Sequence, residues 1–431
     1  MNDNKKSITN KVSSLVDKLA GPMGKFGEFP IVVALKDGLV ATIPIIIIGS
    51  IFLLIAMLGM ENTFKEGYAI PAMASFSPKL LVIYSLTMNF MALYAAVSIG
   101  MAYGRIYNLD PINSAIISLG SFLLVTINGT SDNMISVSSF APQGLFTAMA
   151  VSIFSVWIYR ICIEKNLVIK MPKGVPQGIG NAFSALIPFT IVFIIVWLIR
   201  TVLNFDLVSF MATVLQPVFN AADNIVVFTT KIFTELLLWS TGMHGTIMLD
   251  SIFGPLKTVW IGENAQAISE GVKATELPHI WTNVTERMVI WVASAWGLMF
   301  WMWTSKLKSA RAIAIAATPA AIFTIIEPLV FGLPIVFNPF LIIPFILSGT
   351  VAAFVTYGIF ELGIINRVFV ELPWATPPFI AGPLATGDWK SLLLVIINFL
   401  IGVVIYYPFW KAYERNEQKK VTENENSVIQ E

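Results

Sequence analysis

One carboxylate stands in an apolar, proline-broken stretch late in the chain. Glu327 lies in the sequence TIIEPLVFGLPIVFNPF, where prolines recur at positions 328, 334 and 339. An ionisable side chain inside a membrane costs roughly 2.5 to 3.5 kcal/mol on insertion scales, so it is expected to face a cavity or a partner. The position therefore makes Glu327 a candidate for a functional site. The alternative is a protonated acid that only caps a turn.

A second broken apolar stretch contains one histidine. His244 lies in TGMHGTIMLDSIFGPL, which three glycines and Pro255 interrupt. Proline removes a backbone donor and clashes with the preceding helical turn. Non-helical backbone at membrane depth survives only inside protein or beside a water-filled cavity. Two short broken segments in one half of a membrane transporter indicate its binding site. The alternative for His244 is a simple bond to nearby backbone.

Two further ring-bearing residues lie in stretches that could belong to a site. Trp374 lies in ELPWATPPF, another proline-broken stretch. A tryptophan there is either an anchor at the membrane interface or a stacking platform for a sugar ring, and the residues alone leave both open. His279 lies in ELPHIW, a polar loop, and is not expected to take part in chemistry.

The composition is that of an integral membrane protein. Hydrophobic residues make up 56% of the chain and charged residues 12%, against roughly 25% charged in soluble domains. The net charge of +1 gives no reason to expect a nucleic acid or an acidic partner. The single cysteine, Cys162, excludes an intrachain disulfide and a multi-cysteine metal site, and we expect it to serve packing. No metal or cofactor is predicted.

The chain contains several uncharged runs that can cross a bilayer, which needs about 20 apolar residues. The runs cover residues 38–60, 80–104, 111–131, 133–159, 174–199 and 391–410, with a shorter Trp-rich run at 288–305. The six lysines between Lys5 and Lys36 place the N-terminus in the cytoplasm, and no removable signal peptide is expected.

In the second half of the chain, the number of crossings follows from which loops lie on the cytoplasmic side. The basic groups at 306–311 and at 411–420 both indicate the cytoplasmic side, so residues 206–249 must supply two crossings, at 207–222 and 225–243. The count is then ten spans, with both ends of the chain in the cytoplasm. The second crossing carries Lys231 and Glu235, which are four apart on one helix face and partly neutralise each other; a structural role is favoured over a coupling role. Residues 318–339 are predicted to form a re-entrant hairpin, followed by a span at 340–360.

The fold class is therefore all-α and polytopic, with four segments along the chain. Residues 1–30 form a cytoplasmic N-terminal segment and residues 31–205 the N-terminal transmembrane half. Residues 206–410 form a C-terminal half with the hairpins and the candidate site, and residues 411–431 form a cytoplasmic tail.

Long motifs resemble one known family. The stretch IIEPLVFGLPIVFNPFLIIPFIL is similar to the signature of the membrane IIC component of the bacterial phosphoenolpyruvate-dependent sugar phosphotransferase system, in its lactose, cellobiose and diacetylchitobiose branch. KDGLVATIPIIIIGS, LWSTGMHG, LPWATPPFIAGPLATGDWKS and IYYPFWKAYER agree with it, and the match runs over nearly the whole chain. The usual glycine-rich element GGSG is missing from residues 282–297, which read TNVTERMVIWVASAWG.

The resemblance implies an architecture and a site. It implies a homodimer with ten spans and two re-entrant hairpins per subunit, in which the first five spans form most of the dimer contact. The residues matched to the family's sugar site are Glu327 and His244 near the sugar 6-hydroxyl, Trp374 against a sugar ring, and Asn128 after the third span. Glu327 would orient the hydroxyl and accept its proton, with His244 beside it.

The function implied is import of a disaccharide or β-glucoside across the bacterial cell membrane, coupled to phosphorylation of its 6-hydroxyl. The donor is expected on separate IIB and IIA proteins, with the basic loop 160–173 as a candidate IIB contact. Two alternatives stay open: an ion-coupled secondary sugar symporter with Glu327 as proton carrier, and a membrane-bound transferase that uses His244 and Glu327 as an acid and base pair.

Overall fold

The computed structural model describes residues 28–60, 70–127, 138–172, 174–333, 335 and 338–429. Over these residues the chain consists of helices and connecting segments, without a β-strand. The all-α prediction is confirmed. The helices are α1 (Pro30–Val40), α2 (Ile43–Met57), α3 (Ser77–Thr87), α4 (Met91–Ile106), α5 (Pro111–Thr126), α6 (Leu145–Glu164), α7 (Gln177–Trp197), α8 (Leu207–Ala222), α9 (Ile225–Trp239), α10 (Gly245–Ser269), α11 (Asn283–Arg287), α12 (Gly297–Trp303), α13 (Lys308–Ile322), α14 (Glu327–Gly332), α15 (Pro339–Glu361), α16 (Pro378–Thr386) and α17 (Lys390–Ile429).

The contacts between residues divide the chain into two compact units. The N-terminal unit contains Lys25–Ala221 and Asp250–Gly271. The C-terminal unit contains Ala222–Leu249 and Val272–Glu431. His244, Glu327 and Trp374 all fall in the C-terminal unit, so their arrangement can be read within one compact body.

Small residues bring helices close together in the N-terminal unit. A Cβ built on Gly100 of α4 would collide with the Ser118 side chain of α5, and one on Gly104 would collide with Ser114. Helices in a bilayer gain no hydrophobic drive toward each other, so they associate through close packing at small residues. The pairing of α4 with α5 therefore follows from glycine and serine at matched positions.

Asp110 begins α5 and ties it to α7. Its carboxylate accepts from the Asn113 backbone N–H at 2.8 Å, as an N-cap does, and Pro111 follows at the first helical position. The other carboxylate oxygen accepts from the Asn181 side-chain amide at 2.7 Å. A single acidic residue thus fixes where α5 begins and which helix lies beside it.

In the described part of the chain, six helical segments have the length and apolar composition to cross a membrane. They are Pro30–Met57, Ser77–Ile106, Pro142–Glu164, Gln177–Val202, Phe340–Glu361 and Lys390–Lys419, and Pro111–Thr126 is a shorter apolar helix. On α17, Ile396, Leu400 and Val404 are 45%, 51% and 69% exposed. These residues are four apart and share one face, which lipid would solvate. The prediction of ten spans and the orientation of the termini remain predictions.

Several predicted boundaries are close to the observed ones. The predicted crossing at 207–222 coincides with α8, and the predicted span at 340–360 matches α15 to within a residue at each end. The Trp-rich run at 288–305 is less regular than a single straight span, because a π-helical turn at Val292–Trp296 precedes α12.

The proline-rich segment around Glu327 is broken, as its sequence predicts. Helix α13 ends at Ile322, residues 323–326 are non-helical, and α14 begins at Glu327. Thr324 has a φ of 67°, in the left-handed region that residues with a Cβ seldom adopt. The first arm starts earlier than predicted, because α13 already begins at Lys308.

The prediction of a helix break at Gly254 and Pro255 is wrong. Helix α10 continues without interruption from Gly245 to Ser269, with Pro255 inside it. One proline costs a helix a backbone hydrogen bond and some steric strain, and other contacts can offset this cost. The Lys257 ammonium, 1% exposed, donates to Asp250 Oδ1 at 2.7 Å and so bridges the two turns that contain the proline. Only residues 240–244 before α10 are non-helical in this stretch.

Candidate functional site

The break before α10 and the break before α14 bring His244 and Glu327 together. The His244 Nε2 and Glu327 Oε1 atoms lie 3.8 Å apart, and the two side chains are 42% and 44% exposed. This separation is longer than a hydrogen bond, so each group keeps capacity for a ligand. The structure thus joins two residues that are far apart in the sequence.

The tautomer of His244 follows from its neighbours. The Ile247 backbone N–H donates to His244 Nδ1 at 3.3 Å, so Nδ1 is the acceptor nitrogen. The neutral ring then carries its proton on Nε2, the nitrogen nearest Glu327. His244 therefore presents a donor and Glu327 an acceptor. A hydroxyl group can accept a hydrogen bond from the first and donate one to the second.

Trp239 packs against the His244 ring and is itself held in place. The two ring centroids are 4.3 Å apart at an interplanar angle of 49°. The Trp239 Nε1 donates to Thr246 Oγ1 at 3.1 Å, and Thr246 in turn donates to the Glu235 carboxylate. Trp239 also packs edge-on against Trp291, with centroids 5.5 Å apart. The contact with Trp239, which Trp291 packs against in turn, therefore restricts the orientation of the His244 ring.

A buried charge cluster lies behind these aromatic rings. The Lys231 ammonium is 2.6 Å from Glu235 Oε2 and 2.7 Å from Glu286 Oε1, and its side chain has no exposed surface. Glu286 also accepts from Trp281 Nε1 at 2.6 Å. The predicted pairing of Lys231 with Glu235 is confirmed. Its third member, Glu286, was missed, because a contact over such a sequence distance leaves no local pattern.

Trp374 lies in the non-helical segment before α16. Its side chain is 67% exposed, and its backbone carbonyl accepts from Thr324 Oγ1 at 3.2 Å. Thr324 is in the break that precedes Glu327, so the Trp374 backbone is joined to the segment that carries the carboxylate. The Trp374 indole is thus exposed, whereas the Trp239 ring is buried.

The other candidates fall into three groups. Asn128 lies outside the described residues. His279 is 4% exposed and its Nδ1 is 3.2 Å from Asp223 Oδ2, so its surroundings are buried core rather than the predicted polar loop. Cys162 is buried and free, as expected of a packing residue.

The segment that lacks the glycine-rich element is closely packed. A Cβ built on Gly297 would lie 2.6 Å from the Gly402 carbonyl carbon of α17. The Trp296 Nε1, one residue earlier, donates to the Ala321 carbonyl of α13 at 3.0 Å. Residues 292–297 therefore connect α17 with the helix that leads to Glu327.

The apolar helix faces and the polar pair at two helix breaks are features of a polytopic membrane transport protein. The model of the family "Phosphotransferase system, EIIC" matches residues 36–349. The chain belongs to this family and is a membrane permease component of a sugar phosphotransferase system. The predicted family is confirmed.

Curated relatives and a solved structure match the chain over almost its full length. The cellobiose-specific EIIC component of Geobacillus stearothermophilus is 34% identical, over 97% of each chain. The lichenan permease IIC component of Bacillus subtilis is 31% identical, over 98% of this chain and 97% of its own. The crystal structure of ChbC, the IIC component of the N,N'-diacetylchitobiose-specific phosphotransferase system, superimposes with a TM-score of 0.84 at 29% identity, over 95% of this chain and 99% of that one.

Proposed function

We propose that this protein imports a β-linked disaccharide or β-glucoside and presents its 6-hydroxyl for phosphorylation by a phospho-IIB partner. The observation that carries the proposal is the 3.8 Å separation of His244 Nε2 and Glu327 Oε1, both half-exposed. Cellobiose, lactose and N,N'-diacetylchitobiose, which relatives are named for, are all β-linked disaccharides. We therefore propose β-linked disaccharides as the substrate class of this protein and name no particular sugar.

The proposed chemistry needs only a small number of groups from this chain. The 6-hydroxyl oxygen attacks the phosphorus of the phosphocysteine on IIB, an oxygen–phosphorus bond forms, and the sulfur–phosphorus bond breaks to leave a thiolate. Glu327 accepts the hydroxyl proton, as a general base within hydrogen-bond reach. His244 donates from Nε2 to the same oxygen before attack and holds it in line. Trp374 stacks on a sugar ring.

The proposed assembly is a homodimer with ten spans, two re-entrant hairpins and both termini in the cytoplasm. Its support is the resemblance to the family and the distribution of Lys and Arg. The basic loop is the proposed contact for IIB. Arg160 lies over the Tyr107 ring at 3.8 Å and pairs with Glu164 at 2.6 Å, so the exposed Lys165 and Lys170 are its best candidates for a partner.

The experiment that tests the function follows the chemical form of the sugar. Membrane vesicles containing the protein are given labelled cellobiose, lactose or N,N'-diacetylchitobiose, with phosphorylated IIB on the cytoplasmic side or without it. We expect sugar phosphate inside the vesicles only when phospho-IIB is present. Accumulation of unmodified sugar driven by a pH gradient would instead indicate a symporter and contradict the proposal.

A further inference from the structure

The exposed ring of Trp374 sits on a backbone that is fixed from two directions. The Trp374 carbonyl accepts from Thr324 on one side. On the other side, the preceding carbonyl of Pro373 accepts from Arg287 Nη1 at 2.9 Å. These two hydrogen bonds restrict the backbone that carries the exposed indole.

Arg287 contacts three consecutive residues ahead of the indole. Its Nη2 donates to the Leu372 carbonyl at 3.3 Å and lies 3.9 Å from Glu371 Oε1. Glu371 is held in turn by the Asn283 side-chain amide at 3.3 Å. Arg287 itself is 7% exposed. The planar guanidinium can reach two carbonyls and a carboxylate together, and a lysine ammonium, a point charge on a flexible stem, cannot reproduce this fork.

The position of Arg287 in the sequence adds to the argument. It lies in residues 282–297, the stretch in which the family's glycine-rich element is missing. The side chain of Arg287 leads from α11 to the segment that carries Trp374 and holds two of its backbone carbonyls. A ring that is oriented before the ligand arrives binds more tightly, since less ordering is left to the binding step.

We propose that Arg287 is a positioning residue that presets the Trp374 indole for stacking on the sugar, and that it sets sugar affinity through Trp374. The inference rests on the proposed function, because it assumes a sugar on the Trp374 face. It requires Arg287 to act without touching the sugar, and this requirement separates it from a binding residue.

The test is a double-mutant cycle on the purified full-length protein. Labelled cellobiose, lactose and N,N'-diacetylchitobiose serve as probes, and the probe that wild type binds is used for all variants. The variants are Arg287→Lys, Trp374→Ala and both together; lysine keeps the charge opposite Glu371. We expect Arg287→Lys to weaken binding about fivefold to tenfold in the wild-type background and less than about twofold in the Trp374→Ala background, because coupled residues are not additive.

Thr324→Ala provides a second cycle that does not disturb the buried arginine. It removes the tether on the other side of the indole, and Thr324→Ser, which keeps the hydroxyl, is its matched control. We expect Thr324→Ala to weaken binding only when Trp374 is present and Thr324→Ser to behave as wild type. This cycle decides the matter if Arg287→Lys does not fold.

The outcomes separate the inference from the function on which it rests. If Trp374→Ala weakens binding but Arg287→Lys and Thr324→Ala do not, or if the losses simply add, the positioning role is overturned and the proposed function stands. If Trp374→Ala binds as wild type does, or wild type binds none of the three sugars, the sugar contact itself fails and the inference falls with it.

Discussion

Replacing Glu327 with glutamine separates binding from phosphoryl transfer. Glutamine keeps the size of the side chain and most of its hydrogen bonding but cannot accept a proton. The carboxylate is 44% exposed and 3.8 Å from His244 Nε2, so its loss leaves no buried charge unpaired, and an exposed pair of this kind contributes about 0 to 1 kcal/mol. We therefore expect the variant to fold and to bind sugar within about tenfold of wild type, roughly 1.4 kcal/mol.

The chemical step should respond much more strongly. A general base contributes about 10²- to 10⁴-fold, so phosphorylation by phospho-IIB should fall by roughly 10²-fold or more in Glu327→Gln. The assay measures labelled sugar phosphate formed in vesicles beside equilibrium binding of the same sugar to purified protein. Glu361→Gln, which changes an exposed carboxylate at the last residue of α15, is the matched control. Near-normal phosphotransfer in Glu327→Gln would refute the general-base role and leave Glu327 as a binding residue.

Three further changes probe the same region. His244→Ala should lower sugar affinity with folding unchanged, because the ring is 42% exposed; equal sugar binding by mutant and wild type would remove His244 from the site. Trp374→Ala should weaken disaccharide binding while Trp389→Ala, at a tryptophan 68% exposed, should not; a drop in thermal stability alone would favour the membrane-anchor role. Lys231→Ala should cost about 3 to 5 kcal/mol of stability, since it leaves two buried carboxylates without their shared cation, and unchanged thermal unfolding in detergent would contradict the cluster's structural role.

Local sequence signals predicted much of the helical framework. Apolar runs and charge spacing located α8 and the start of α9, and the prolines around Glu327 predicted the break there. The same reasoning failed at Pro255. The sequence shows the local cost of a proline in a helix, but it does not show that Lys257 and Asp250 form a contact across that proline. Helix breaks were therefore predicted where several prolines act together and wrongly predicted where a single one is compensated.

The site was predictable only in part. An isolated acid and an isolated histidine in broken apolar stretches were recognised as candidates, yet their approach to 3.8 Å depends on tertiary structure. Arg287 and Glu286 gave no signal, because adjacent charges at a helix end usually face solvent and these two turn to partners far along the chain. Long-range ion pairs leave no periodic trace, and a single sequence therefore cannot reveal them.

The contact of Gly297 with Gly402 has a mechanical consequence. Backbone lies against backbone there, so no side chain separates Gly297 of α12 from Gly402 of α17. A shift of α17 at Gly402 would displace Gly297, and the neighbouring Trp296 indole would carry the shift to the carbonyl of Ala321, the residue before the last of α13. Thr324, with its left-handed backbone, and Glu327 follow directly after α13. This series of contacts therefore links the long C-terminal helix to the residue proposed to take the proton.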